Sequence, residues 1–328
     1  MLEKVTKKSI LFSIIFILLL SIALVNVLSF DNIVYADDDE VVYYNRSDYS
    51  SAGEVVIDAK NSVVYGNPGG DIVISSSAES VTLYSETGLI KFGGTRIIIS
   101  PRNKDLYIYF DGVIGISSSA NYTAVNNQST RGTVHFVNNN ADNDVIFTTW
   151  GRNYLYEYVL SPYLKDGVGV NAIFYTKGNV SFEGVRGFDI DGGGPRYRLS
   201  NISGRTCRAT AGMQVVGAKQ VYINTNVRIK GADAPSGCNL YIPNETAVDG
   251  GTGGYGFDGA LARVSIADNA YLRLIGGNGG DGSDTSSDVK PGSRGFGGAP
   301  FYLNIIADKT KYSDLNGLDG KDGISRNK

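Results

Sequence analysis

An all-β fold of the right-handed parallel β-helix class is what the sequence predicts, on three observations. Short β-branched and aromatic runs follow one another at near-constant spacing. After the N-terminal apolar segment no stretch of helical period occurs, and segments of the C-terminal half recur about forty residues apart. A β-sandwich, with strands every ~8–12 residues, is the alternative. The runs are very short and carry little hairpin signature of the Asn-Gly kind, which favours a stack over a sandwich.

The first element is an address. Lys4, Lys7 and Lys8 precede an apolar run from Ile10 to Leu28, and Val34-Tyr35-Ala36 places tolerated residues before a cut. Residues 1–36 therefore read as a secretory signal peptide, with an uncleaved N-terminal anchor as the alternative, and both export the remainder. Any membrane contact would run through that segment alone. The exported part is expected in the extracellular space or at the cell surface. Charge is nearly balanced, 30 Lys+Arg against 33 Asp+Glu, and the absence of a basic surplus argues against a nucleic-acid partner. Glycine, at 42 residues, is well above the usual ~7%. With only 8 prolines the chain is not collagen, and 42% hydrophobic residues supply a core.

The second element, residues 37–205, is rich in strand signals. Runs begin at Val55, Val63, Ile72, Val81, Leu89, Ile97 and Leu106, eight or nine residues apart. Three such strands with their turns take about 25 residues, close to one coil of a β-helix. The third element, residues 206–328, is a glycine-rich repeat part of the same solenoid or of a second one. Val221-Tyr-Ile-Asn-Thr-Asn226 recurs as Val264-Ser-Ile-Ala-Asp-Asn269 and, more loosely, from Asn304 to Lys309. Gly256–Ala260 is echoed by Gly295–Ala299, and Gly276–Gly282 by Gly317–Gly323. A unit of that size cannot bury a core alone, so copies must stack. Residues 250–300, with 15 of the glycines, resemble the loops inserted between coils in exported bacterial surface β-helices, pectate-lyase-like in fold but non-catalytic and of adhesin type. That resemblance implies display at a surface rather than turnover.

Residues that could carry chemistry are few. The single histidine, His135, lies in Val134-His135-Phe136-Val137 with no acid or nucleophile adjacent, and reads as a strand residue. Asn224-Thr225-Asn226 and Arg228-Ile229-Lys230 look like the Asn-Thr-Asp and Arg-Ile-Lys elements of polygalacturonases. Here they nearly touch, Asn226 replaces the acid, and the Gly-His-Gly element of that family is missing, so an inverting pair of carboxylates is not assembled. A lyase would need an acid cluster with a basic residue, which Asp189 and Asp191 with Arg196 and Arg198 could supply. Calcium is the candidate cofactor. Asp189 and Asp191 project from one side of an extended segment before Gly192-Gly193-Gly194, and Asp258 and Asp281 lie in sequences that follow the calcium-binding nonapeptide pattern, the second only as far as Asp281. Ordinary Gly-Asp turns are the competing reading for the last two.

Trp150 and the alternating Tyr154, Tyr156 and Tyr158 form a candidate sugar-stacking face, with Tyr107, Tyr109 and Phe110 as a second candidate. Cys207 and Cys238, the only cysteines, suit one disulfide in an exported chain, closing a loop worth ~3 kcal/mol, or else two buried thiols. The expected function is thus a secreted or cell-surface non-enzymatic β-helix presenting a rigid surface for adhesion or envelope structure. The alternative is a carbohydrate-binding module, with calcium in support. A polysaccharide lyase or hydrolase ranks below both. Expected partners are a polysaccharide or a cell-surface protein, with self-association through an exposed solenoid end.

Overall fold

The computed structural model describes residues 40–45, 48–49, 53–119, 122–150, 172–192, 209–234, 252–259, 261–286, 291, 293–294, 296–302 and 307–326. Among them there is no α-helix, and three long sheets are parallel throughout. Sheet 1 holds Val41–Tyr44, Asn61–Tyr65, Ser80–Tyr84, Leu106–Asp111, Thr133–Asn138, Asn179–Gly184, Gln220–Ile223 and Arg263–Ile266. Sheet 2 holds Glu54–Ile57, Asp71–Ile74, Ile97–Ile99, Val125–Asn127, Ala172–Thr176, Ala211–Val215, Phe257–Asp258 and Phe301–Tyr302. Sheet 3 holds Ile90–Gly93, Val113–Ser119, Val145–Trp150, Phe188–Asp191, Val227–Lys230, Leu272–Ile275 and Tyr312–Leu315. The fold is a parallel β-helix. The first coils use sheets 1 and 2 only; from Ser80 to Ile275 the chain visits sheet 1, sheet 3 and sheet 2 in turn, and Thr285–Ser286 pairs with Ser325–Arg326 in a separate two-stranded sheet.

Register follows burial. Within each strand alternate residues point inward, as in Ser80–Tyr84, where Val81 and Leu83 are buried, and in Thr133–Asn138, where Val134, Phe136 and Asn138 are. Because neighbours are parallel and in register, like side chains stack coil on coil. Phe136 stacks on its register partner Phe182 at 5.7 Å and meets Phe147 of sheet 3 at 5.8 Å and Phe174 of sheet 2 at 5.1 Å, ring centre to ring centre. Each such buried ring contributes on the order of 2–3 kcal/mol by leaving water, before entropy is charged against it. Phe110 belongs to this ladder, fully buried against Phe147 and Phe188, so it leaves the outer aromatic face on which the sequence placed it. The repeat at Val221 and Val264 is a pair of stacked neighbours, Val221 beside Val264 and Ile223 beside Ile266.

Corners are held by side-chain amides. Buried Asn138 accepts the Asn140 N–H at 2.9 Å and donates through Nδ2 to the carbonyls of Asn143, at 3.0 Å, and Gly187, at 2.9 Å, tying one coil to the next. A backbone turned through a sharp corner leaves polar groups that must find partners, and one asparagine satisfies three.

The glycine-rich stretches are an ordered second architecture, where the sequence suggested loop insertions. N–H groups of Gly276, Gly279, Gly282 and Thr285 donate to the carbonyls of Leu315, Leu318, Lys321 and Ile324. The period is three, whereas a strand ladder repeats every two residues. In return, Leu318, Lys321 and Ile324 donate to the side-chain oxygens of Asn278, Asp281 and Asp284. Three residues per turn with bonds only between chains is the polyproline-II type of helix, and it explains the Gly-x-Asx triplets. Glycine is required at the contact: a Cβ on Gly317 would sit 1.9 Å from the Gly277 carbonyl oxygen, and one on Gly320 2.0 Å from that of Gly280. Asx caps the N–H groups that three-fold geometry leaves over. A zigzag of bonds, Ala232 to Thr210, Gly254 to Ala232, Gly277 to Gly254, Gly298 to Gly277 and Gly317 to Gly298, joins outgoing and returning runs into two layers.

This geometry corrects two sequence alignments. Matching glycine to glycine set Gly276 against Gly317, but the stack sets Gly277 there, with Ile275 beside Leu315. It also set Phe257 against Phe296, whereas sheet 2 pairs Phe257 with Phe301 and Asp258 with Tyr302. Glycine patterns of period three match each other at many offsets. Register is decided instead by which aromatic ring reaches the core, Phe301 packing on it while Phe296 is exposed.

Candidate functional site

Sheet 1 turns an aromatic face outward. The alternation that buries Leu106, Ile108 and Phe110 sends Tyr107, Tyr109 and Asp111 to the other side. Register then builds rows across coils: Ser80, Tyr107, His135, Ser181 and Tyr222 in one, and Tyr43, Val63, Thr82, Tyr109, Val137 and Glu183 in the next. Tyr65, Tyr84 and Asp111 form a third. Successive members stand about 4.8 Å apart, the spacing of paired strands. Tyr107 stacks on His135 at 4.3 Å and 12°, Tyr107 and Tyr109 lie parallel at 6.3 Å, and Tyr65 meets Tyr84 at 5.4 Å. Tyr43 is 65% exposed, and Tyr107 and Tyr222 are each 37% exposed, so ring surface is open to a partner.

A polar network fixes that face. His135 Nδ1 lies 2.6 Å from Glu183 Oε1, the Ser181 hydroxyl donates to the same oxygen at 2.6 Å, and Asn224 donates to Ser181 at 3.1 Å. Serine, histidine and acid are together, but in the wrong order for acyl transfer. A nucleophilic serine gives its proton to the imidazole, whereas Ser181 gives its own to the carboxylate. What the network does is lock the imidazole plane beneath Tyr107. Glu183 comes from a strand 48 residues away, and nothing near His135 in sequence announces it. Burial pushes the Tyr109 phenol up, and a hydrogen bond to Glu86 raises the Tyr65 phenol to about 12. Both phenols remain donors and acceptors across the physiological range.

Asp189 and Asp191 project from sheet 3, as the strand alternation requires. Arg228, the register partner of Asp189 on the next coil, donates to both of its carboxylate oxygens, at 2.6 and 2.8 Å, and lies 3.6 Å from Asp191. Burial nonetheless pushes the Asp189 carboxyl up, with Arg228 pulling it back down; burial also lowers Lys91, which feels both aspartates. The other two calcium candidates are elsewhere. Asp258, on sheet 2, accepts from Gln214 at 2.9 Å, and Asp281, in the glycine layers, accepts the Lys321 N–H at 2.7 Å. Among the described residues no three His, Cys, Asp or Glu side chains gather as a metal would need. Trp150 ends a sheet 3 strand beside Ser119. Tyr154, Tyr156, Tyr158, Arg196, Arg198, Cys207 and Cys238 lie outside the described residues, as does the signal segment.

Sequence reasoning found Tyr107 and Tyr109 but missed Tyr65, Tyr84 and Tyr222. A signal was available in Val63-Val64-Tyr65 and Val81-Thr82-Leu83-Tyr84, where tyrosine closes two alternate runs on the outward phase. Comparison with protein-family models, with curated proteins and with solved structures finds no match.

Proposed function

We propose that this chain is an exported, non-enzymatic β-helix that presents the outer face of sheet 1 as a rigid contact surface for adhesion or envelope structure. The observation that carries the reading is the stacked, partly exposed aromatic rows held by His135 and Glu183. Topology supports it as well. The eight strands of sheet 1 pair in parallel one with the next, from Val41–Tyr44 to Arg263–Ile266, so the face is continuous across coils. Likeness to pectate-lyase-type surface β-helices of non-catalytic kind belongs to the same reading. Flat amphipathic rings on a stiff frame stack on the C–H faces of sugars while their hydroxyls bond outward, which favours a polysaccharide as the partner.

Binding of the purified chain to insoluble polysaccharides and cell-wall preparations tests this, with released sugar monitored. Tyr107→Ala combined with Tyr43→Ala is expected to weaken retention at least tenfold, with circular dichroism unchanged and no sugar released. Retention indifferent to both substitutions would reject sheet 1 as the contact face, and sugar release would reject the non-enzymatic reading.

A further inference from the structure

The aromatic face of sheet 1 holds one carboxylate that nothing in the fold answers. Asp111 closes the strand Leu106–Asp111 on the outward phase. Its register neighbour on the preceding coil is Tyr84, and Tyr109 stands two residues before it on the same side of the strand. Both tyrosines are braced, Tyr84 by Tyr65 at 5.4 Å and Tyr109 by Tyr107 at 6.3 Å. Side chains stand roughly perpendicular to a sheet, and a carboxylate on one methylene reaches less far than a phenol. Asp111 therefore lies at the floor between two taller rings.

The other acid of that face is engaged, Glu183 accepting from the Ser181 hydroxyl and meeting His135. Among the described residues no hydrogen bond or ion pair reaches the Asp111 carboxylate, and burial alone pushes its carboxyl up. A charge half out of water without a partner is a cost that neither strand alternation nor core packing requires. No cation balances it from the same face. Among the described residues, the outward positions of the sheet 1 strands from Asn61 to Tyr222 hold no lysine or arginine, and Lys60 and Lys104 at the border face Glu79.

We propose that the polysaccharide received by this face carries free amino groups, and that Asp111 binds one of them as an ammonium between Tyr84 and Tyr109. The inference rests on the reading of sheet 1 as a polysaccharide contact face and narrows it to one substrate class. An ammonium brings three donors and no acceptor, and a carboxylate flanked by two phenol oxygens is its complement. Aromatic rings stack on the C–H faces of the sugar and attract the cation it carries. A sugar hydroxyl would satisfy the carboxylate's lone pairs but leave its charge unbalanced, and a polyuronate would set like charge against it.

Retention of the full chain on insoluble polyglucosamine, on the same polymer fully N-acetylated and on cross-linked polygalacturonate tests it. Retention on the amino polymer is expected to exceed that on the other two by about tenfold or more, and to lose that advantage in Asp111→Asn. Asp314→Asn removes the same charge from an exposed position on sheet 3 and should change nothing. An equal loss there would reveal a general attraction of an acidic chain to a polycation and overturn the proposal. So would equal retention on the acetylated polymer, an Asp111→Asn chain that behaves as the parent, or polylysine competing as well as glucosamine oligomers, which would make the ligand a protein. Loss of retention in Tyr43→Ala with Tyr107→Ala, without any preference among the polymers, would overturn the ammonium site alone and keep sheet 1 as the contact face. Retention indifferent to both tyrosines would remove the sheet 1 reading and the ammonium site with it.

Discussion

Replacing Gly277 by alanine separates an ordered glycine layer from a flexible loop. A Cβ on Gly277 would lie 1.8 Å from the carbonyl oxygen of Ala232 and 2.4 Å from its carbon, both backbone atoms held by the zigzag of interlayer bonds. Ordinary contact needs roughly 3.4 Å, so the layers must part by about 1.5 Å. Gly277 donates to Gly254 at 2.8 Å and accepts from Gly298 at 2.7 Å, and both bonds would pass beyond useful length. Two lost bonds at ~1 kcal/mol each and an overpacking cost of ~1–3 kcal/mol give about 3–5 kcal/mol. Gly66→Ala is the control: its φ of +71° costs ~1–2 kcal/mol, with nothing within 4 Å to collide. In a flexible loop, glycine to alanine would instead stabilise by ~0.4–1 kcal/mol. Because solenoid units open locally, amide exchange at Gly254, Gly298 and Gly317 should be read beside urea midpoints. The expected result is accelerated exchange at all three and a larger loss than in the control. A Gly277→Ala chain as stable as the parent, with exchange unchanged, would refute the three-fold packing.

Three further outcomes follow from the same geometry. Phe136→Ala opens the aromatic ladder at a fully buried ring and should cost ~3–5 kcal/mol in urea unfolding; a loss under ~1 kcal/mol would show that the ladder does not carry the core. Asn138→Leu strands the buried Asn140 N–H and removes a donor from the carbonyls of Asn143 and Gly187, the latter keeping the Val145 N–H, for ~1–3 kcal/mol, and a neutral result would mean that water takes over the corner. For Arg228→Met the size of the loss depends on pH. Asp189 is already raised by burial, so the fold holds its proton more tightly than the unfolded chain does, and ionisation costs stability as pH rises from the ordinary carboxylate value through the folded one. Removing the guanidinium raises it further, so the variant should lose about 1 kcal/mol at pH 7, a partly exposed pair being screened, and the deficit should close as pH falls toward 4. A deficit that widens on acidification would contradict that assignment.

Local pattern reached far in this chain. Strand runs eight or nine residues apart, with alternating burial, left only a few all-β architectures open, and Val221–Asn226 against Val264–Asn269 named two neighbours in register. The strand phase of Tyr107 and Tyr109 was readable too, but that of Phe110 was not used: one residue past Tyr109, it faces the core. The candidate contact face was half legible. Glu183 beneath His135, and Arg228 between Asp189 and Asp191, join residues 48 and 39 positions apart, and which coil lies against which depends on how long each excursion is.

By itself the sequence determined the class of fold and the inward or outward sense of each strand residue, because the alternation of side chains along an extended chain is a local property. Only the tertiary structure decided the register between coils and the role of the glycines. Both depend on contacts between segments about forty residues apart, where a methyl group either fits or meets a carbonyl oxygen at 1.9 Å. The contact of Asp71 with Arg96, and of Arg96 with the Tyr122 ring, belongs to the same class of fact, since three coils contribute to it.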